Sequence, residues 1–273
     1  MRKYLTSLIL AVSISGCGTT YVLPNVDENS ATRAQVLFQN AKTDTNRKPA
    51  SKAAAEARFN RVSTRVRPVA EQLCAQETAK LQNFNCKVSI QIDRDMKERN
   101  AYFTYDAKQQ PIIRLSMPLL QDVRSDHEVA FVMSHEYGHL IGRHIEKKNQ
   151  QAIVGAIILG AITAYSNSQA ASAGHYYDPS AVERNMAIGA ATGSMAYSQS
   201  YELESDTLGT RIASAAGYDP VKGAEFFARP EKAKTDAGKL SFWGTHPPDE
   251  KRLATVIAVD AQIKQKQALQ KRN

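Results

Sequence analysis

The sequence predicts an α+β chain, mostly helical, with a small antiparallel sheet beside one long helix. Three observations carry that expectation. Apolar residues recur at helical spacing, as at Val62, Val66, Val69 and Leu73. Val88, Ile90 and Ile92 alternate with polar neighbours, and two more β-rich runs follow. Ser125-Asp126-His127-Glu128 then has the pattern of a capping box opening a second apolar helix.

In chain order, Met1-Arg2-Lys3 is a basic start and Leu5 to Ile14 is apolar, about ten residues and too short to span a bilayer. Ile14-Ser15-Gly16-Cys17 resembles a bacterial lipobox. Residues 1–17 are therefore expected to be a lipoprotein signal peptide with Cys17 as the lipidation site. A plain secretory signal with an incidental Cys is the alternative. Two acyl chains give stable anchoring where one does not. Gly18 after the Cys, by resemblance to enterobacterial sorting, points to the outer membrane, facing the periplasm.

Residues 18–55 are polar and mixed, expected as a tether plus a helix at Ala31–Lys42; residues 56–273 are expected to form the main domain. Residues 50–82 should form one or two helices broken near Pro68. Lys87–Asp93, Tyr102–Tyr105 and Ile112–Ser116 read as strands, the last two around a turn at Asp106–Pro111. The helix opened by Ser125 presents Ala130, Phe131, Met133, Leu140, Ile141 and Ile145, with Lys147 and Lys148 suited to the negative end of its dipole. Ala152–Ala164 is apolar and uncharged, shorter than a membrane span. A buried helix and a membrane-touching or substrate-covering helix both fit it. Ser166–Ser200, rich in Ala, Ser, Gly and Tyr, reads as a mobile lid or loop. Helices are expected from Tyr201 to Ala216, ending at Gly217, and from Asp249 onward.

The net charge of +8 is spread without a block of like charges, so it indicates solubility and no nucleic-acid partner. Cys74 and Cys86 would bridge in an oxidising compartment; two buried thiols are the alternative. Neither sits in a paired-Cys metal spacing.

The chemistry centres on His135-Glu136-Tyr137-Gly138-His139, an H-E-x-x-H pattern within a helical segment. Residues four apart share a helix face, so two imidazoles can reach one zinc ion, and the adjacent Glu136 can take a proton from a zinc-bound water. His144 does not fit the metzincin spacing, whose third His would fall on Ile145. If the helix continues, His144 lies well round the axis from His139, an exposed or outer-sphere residue. Tyr201-Glu202-Leu203-Glu204-Ser205-Asp206 offers a better third ligand. Glu202 and Asp206 share one face, as ligand and as hydrogen-bond acceptor for His135 respectively, while Glu204 points elsewhere.

H-E-x-x-H followed by E-x-E-x-D-x-x-G resembles the HtpX and CAAX-prenyl-protease type of gluzincin zinc metallopeptidases, which includes bacterial lipoproteins. Asn100-Ala101-Tyr102 and the stretch from Thr245-His246-Pro247 to Arg252-Leu253 match as well. The resemblance covers roughly residues 60–260. It implies a zincin-like domain with one zinc held by His135, His139 and Glu202, and Glu136 as base. It places His246 over the metal, as catalytic residue or displaceable fourth ligand, and gives Arg252 the stabilising of an oxyanion or the anchoring of the site. Taken alone, His246-Pro247-Pro248 says only that a His lies in a rigid turn, where a structural role fits equally. The resemblance further implies a zinc endopeptidase of the cell envelope, acting on unfolded or misassembled envelope polypeptides. A chaperone-like or self-inhibited quality-control protein with marginal proteolysis is the alternative. The hairpin turn Asp106–Pro111 lacks the family's glycines, a departure that bears on substrate handling.

Overall fold

The computed structural model describes residues 18–43, 48–175, 178–195, 198–229 and 241–272. Cys17 and the signal segment lie outside the described residues. The chain divides into a larger unit, Thr19–Ile145 with Ser198–Asn273, and a smaller one that includes Glu146–Tyr197.

The element order begins with helices α1 (Glu28–Thr43) and α2 (Lys52–Glu77), then strands β1 (Ser89–Asp93), β2 (Ala101–Tyr105) and β3 (Pro111–Ser116). Helices α3 (Met117–Asp122), α4 (Asp126–Ile141), α5 (His144–Ser172), α6 (Pro179–Met195), α7 (Ser198–Ala215) and α8 (Pro220–Ala224) follow. A short 3-10 turn (Glu225–Ala228), α9 (Phe242–Thr245) and α10 (Glu250–Lys264) complete it.

Pro68 does not break α2, which runs unbroken from Lys52 to Glu77. Phe59, Val62, Val66, Ala70 and Cys74 form one buried stripe on both sides of it. Pro inside a helix costs about 3 kcal/mol. Burying each Phe or Val returns roughly 1.5–3 kcal/mol, so the stripe outweighs the break. Pro68 itself faces solvent, where water can meet the carbonyl it leaves unbonded. A disulfide between Cys74 and Cys86 ties the end of α2 to the approach to β1.

The sheet has the order β1-β3-β2 and is mixed, which corrects the antiparallel expectation. β2 and β3 form an antiparallel hairpin, but β1 runs parallel to β3. The link Arg94–Asn100 carries the chain past β3 instead of turning it back, so β3 fills the centre and is almost continuously buried. The connection between the parallel strands β1 and β3 is this link together with β2, long enough for the crossover that parallel pairing needs.

Residues expected to begin a tether are seated in the larger unit. Tyr21 is buried and bridges Lys271, with Val22 N–H donating to the Gln270 carbonyl and Arg272 N–H to that of Thr20. α1 buries Ala34 and Phe38 and packs against α10.

α4 starts where the sequence indicates. Ser125 caps it, its hydroxyl accepting the Glu128 N–H at 3.2 Å, while a Glu128 oxygen accepts the Arg124 N–H at 2.8 Å. It ends at Gly142, and Arg143 adopts a left-handed backbone with φ 58. Lys147 and Lys148 therefore lie in the first turns of α5, not at the end of α4.

The smaller unit corrects one expectation and bears on a second that the sequence left open. Among its described residues the Ala/Ser-rich stretch is mostly helical, in the end of α5 and in α6, in keeping with the helix propensity of Ala. α5 and α6 pair closely: a Cβ on Gly189 would lie 2.2 Å from the Gly155 carbonyl oxygen. The stretch 152–164 is not a buried helix, since Ile153, Ile157 and Ile162 are more than half exposed. By length and composition alone, α5 is long and apolar enough to cross a membrane.

Candidate metal centre

Two helices build the site, and glycine sets their spacing. A Cβ on Gly138 of α4 would lie 2.7 Å from the Cα and the carbonyl oxygen of Ser205 on α7. One on Gly209 of α7 would lie 2.9 Å from the His135 backbone nitrogen. The two backbones therefore pack in near contact, which side chains at those positions would prevent.

That contact puts His135, His139 and Glu202 together with His246, and one candidate ligand atom from each lies within 4.8 Å of all the others. The two Nε2 atoms of His135 and His139 are 3.0 Å apart. Glu202 oxygens stand 3.3 Å from His135 Nε2 and 3.5 Å from His139 Nε2. All four side chains are buried. His135 Nδ1 lies 2.8 Å from Asp206 Oδ1, so it carries the proton and donates it. Its Nε2 then faces the cluster. A buried carboxylate and three imidazoles converging on one point need a shared cation or protons to offset their loss of water. Three nitrogens and a carboxylate are a donor set that suits zinc.

Glu136 is buried, and neither of its oxygens has a hydrogen-bond partner. His246 Nε2 stands 3.4 Å from Oε1, too long and unaligned for a strong bond. His246 is delivered from the end of α9 by a turn tied to the link that precedes β2. Phe242 N–H donates to the Arg99 carbonyl at 2.7 Å, and the Thr245 hydroxyl to Asn100 Oδ1 at 3.3 Å. Beneath that turn Phe226, Phe227, Phe242 and Trp243 pack together, with the Phe242 ring 4.6 Å from that of His246. His246 Nδ1 contacts Glu202 Oε2 at 2.8 Å.

Arg252 is buried with its fork on Asp206, both bonds 2.8 Å, and over the Phe227 ring at 4.1 Å. Its Nη1 lies 3.4 Å from Glu202. The guanidinium is thus turned onto Asp206, a position that fits anchoring rather than an approach to an oxyanion.

Protonation follows these contacts. Burial pulls His135 down, but the hydrogen bonds and charges of Asp206 and Glu202 outweigh it and lift the pKa to about 9. Burial, reinforced by the neighbouring histidines, holds His139 well below the usual range against the pull of Glu202. Glu202 and Asp206 are driven up by burial, yet both end below the ordinary carboxylate value. His246 and His139 hold Glu202 there; Arg252 holds Asp206. The site therefore contains two ionised carboxylates in a closed interior.

Two further residues stand beside the cluster, and His144 takes the outer-sphere place of the two that the sequence left open. His144 is buried and contacts His139 at 2.8 Å, because the chain breaks at Gly142-Arg143 instead of continuing as helix. Glu204, which points away from the face shared by Glu202 and Asp206, is buried and contacts His144 at 2.7 Å.

The fold and this His/Glu cluster define a metallopeptidase of the H-E-x-x-H type. Residues 56–259 match the profile of Peptidase family M48, and the chain belongs to that family. It is also similar to the mitochondrial metalloendopeptidase OMA1 of Arabidopsis thaliana, 28% identical over 134 residues. That stretch covers 49% of this chain and 24% of the relative, so the match spans about a quarter of the relative's length.

Proposed function

We propose that the chain is a zinc-dependent endopeptidase of the bacterial cell envelope, of the lipoprotein branch of its family. It acts on misfolded or unassembled envelope polypeptides. The observation that carries the catalytic part is Glu136, a buried carboxylate with no hydrogen bond, beside the converging His135, His139 and Glu202. Zinc, when bound, supplies Lewis-acid chemistry that makes water a nucleophile near neutral pH. Glu136 takes the proton of the attacking water and passes it to the leaving amine, acting first as base and then as acid. Asp206 fixes the tautomer of His135, and Arg252 fixes Asp206. β2 has an unpaired outer edge among the described residues, which suits addition of an extended substrate strand. The envelope assignment draws support from the signal-like residues 1–17 with Cys17, and from the Cys74–Cys86 bridge, a feature of oxidising compartments.

A second reading draws on His246. As a fourth ligand it would close the coordination sphere, and closed four-ligand sites are structural, not catalytic. The protein would then be self-inhibited or chaperone-like, with marginal proteolysis.

The test is metal analysis of the purified protein, with casein digestion in the presence and absence of chelator. Glu136→Gln should keep the metal and lose about 10²–10⁴-fold in hydrolysis. A variant cutting casein at the parental rate would refute the endopeptidase reading. If Glu136→Gln also rescues an envelope defect as well as the parent does, the second reading holds. His246→Ala should raise the rate only if His246 is inhibitory.

A further inference from the structure

His135 has a direct carboxylate behind it, Asp206. His139 has none, and what stands behind it is built with more effort. The helix stops at Gly142, and Arg143 takes a left-handed backbone that non-glycine residues rarely adopt. This reversal folds the His144 ring back into the space that a Gly142 side chain would fill: a Cβ there would lie 2.3 Å from His144 Nε2. The ring stacks on Tyr201, with centroids 4.5 Å apart and planes 16° from parallel. His144 Nδ1 sits 2.8 Å from His139 Nδ1, and His144 Nε2 sits 2.7 Å from Glu204 Oε2. The other Glu204 oxygen accepts the backbone N–H of Tyr21 at 2.6 Å.

Tautomers give these contacts one direction. A metal on His139 Nε2 requires the proton on Nδ1. That N–H donates to His144 Nδ1, which leaves the second proton on Nε2, and this donates to the Glu204 carboxylate. Glu204 is fully buried, so its oxygens depend on the donors they accept from. One such acceptance comes from Tyr21, in the segment clamped against residues 270–272.

We propose that His144 is a positioning residue for the metal ligand His139. Through Glu204 it couples the seating of the N-terminal segment around Tyr21 to the metal centre. The inference rests on the metal reading of His135, His139 and Glu202. Outer-sphere partners of metal-bound histidines typically set metal affinity by about 10–100-fold.

The test uses the full chain. Zinc affinity is measured by competition with a chromophoric chelator, and the visible spectrum is recorded after cobalt substitution. His144→Ala should weaken zinc by about 10–100-fold and change the cobalt spectrum. His144→Asn, whose side-chain oxygen can accept near the Nδ1 position, should recover much of the loss. Gly142→Ala leaves His144 in place but displaces its ring, and should weaken zinc in the same direction, which covers the case of a misfolded His144→Ala. Tyr21→Pro and Tyr21→Ala both remove the ring, but only Pro removes the N–H, so Pro should bind zinc several-fold more weakly than Ala. Parental affinity in both His144→Ala and Gly142→Ala overturns the role of His144. Equal affinity in the two Tyr21 variants overturns the coupling to the N-terminal segment. A parent that takes up no zinc overturns the metal reading itself, and the proposal with it.

Discussion

Replacing Gly138 by Ala tests whether the spacing of two helices, rather than the ligands alone, makes the metal centre. The added Cβ would lie 2.7 Å from the Ser205 Cα and carbonyl oxygen. Both are backbone atoms of α7, so no flexible side chain can yield. Restoring ordinary contact near 3.4 Å requires the helices to part by about 0.7 Å. Glu202 and Asp206 flank Ser205 on α7, while His135 and His139 flank Gly138 on α4. The opening therefore acts directly on the distance between the histidine pair and the carboxylate. Zinc–ligand bonds are about 2.0–2.2 Å, so the displacement is about a third of a bond. Overpacking of this kind typically costs about 1–3 kcal/mol. Charged to the metal-loaded state, that is about 5- to 150-fold in affinity. Urea unfolding of metal-free protein and chelator competition measure the two effects separately. A Gly138→Ala protein with parental zinc affinity and parental unfolding midpoint would show that the helices are not in limiting contact. Gly209→Ala lies in the same interface, and the double variant should cost less than the sum.

Three further outcomes follow from the geometry. Arg252→Gln leaves Asp206 buried with its main cation removed, and should cost about 3–5 kcal/mol of stability, read by urea unfolding. Replacing Cys74 and Cys86 by Ala should lower stability by about 3 kcal/mol through the loop released, and reducing agent should do the same to the parent but not to the variant. In the metal-free protein His135 is raised to about 9, so its charged form contributes stability below its unfolded value, lost as pH rises through 9. A ligand must be deprotonated, so zinc uptake near pH 7 should expel about one proton from His135. Calorimetry in buffers of different ionisation enthalpy measures it, and release that does not fall between pH 7 and 10 would contradict the assignment.

What could be read from the sequence was whatever depends on spacing within one element. His135 and His139, like Glu202 and Asp206, sit four apart, and that period alone puts each pair on one helix face. Ser125 marked the start of α4 for the same local reason. Misreadings arose where packing overrides local preference. Pro68 was expected to break α2, but the buried stripe runs through it. The Ala/Ser-rich stretch looked like a loop, though helix pairing at Gly155 and Gly189 orders it. β1 was expected to be antiparallel and is parallel to β3, since the order of strands across a sheet is set by long-range contacts. For His144 the sequence left an exposed and an outer-sphere place open, and the structure selects the second. Arg143, not glycine, occupies the left-handed position that ends the helix, so the usual mark of a reversal is missing. Gly142, one residue earlier, was the available hint. Glu204 could be read only as pointing away from the ligand face, since its partners, His144 and Tyr21, lie far off in the chain.

The aromatic packing under His246 supplies a built-in optical reporter. The chain has a single tryptophan, Trp243, buried three positions from His246 and in contact with Phe226 and Phe242. Its emission comes from one place, the turn that carries the fourth histidine. A movement of that turn, on metal loading or on engagement of a polypeptide, would change the polarity around one indole and shift its emission wavelength. The unmodified protein can therefore be followed in real time, with no label added.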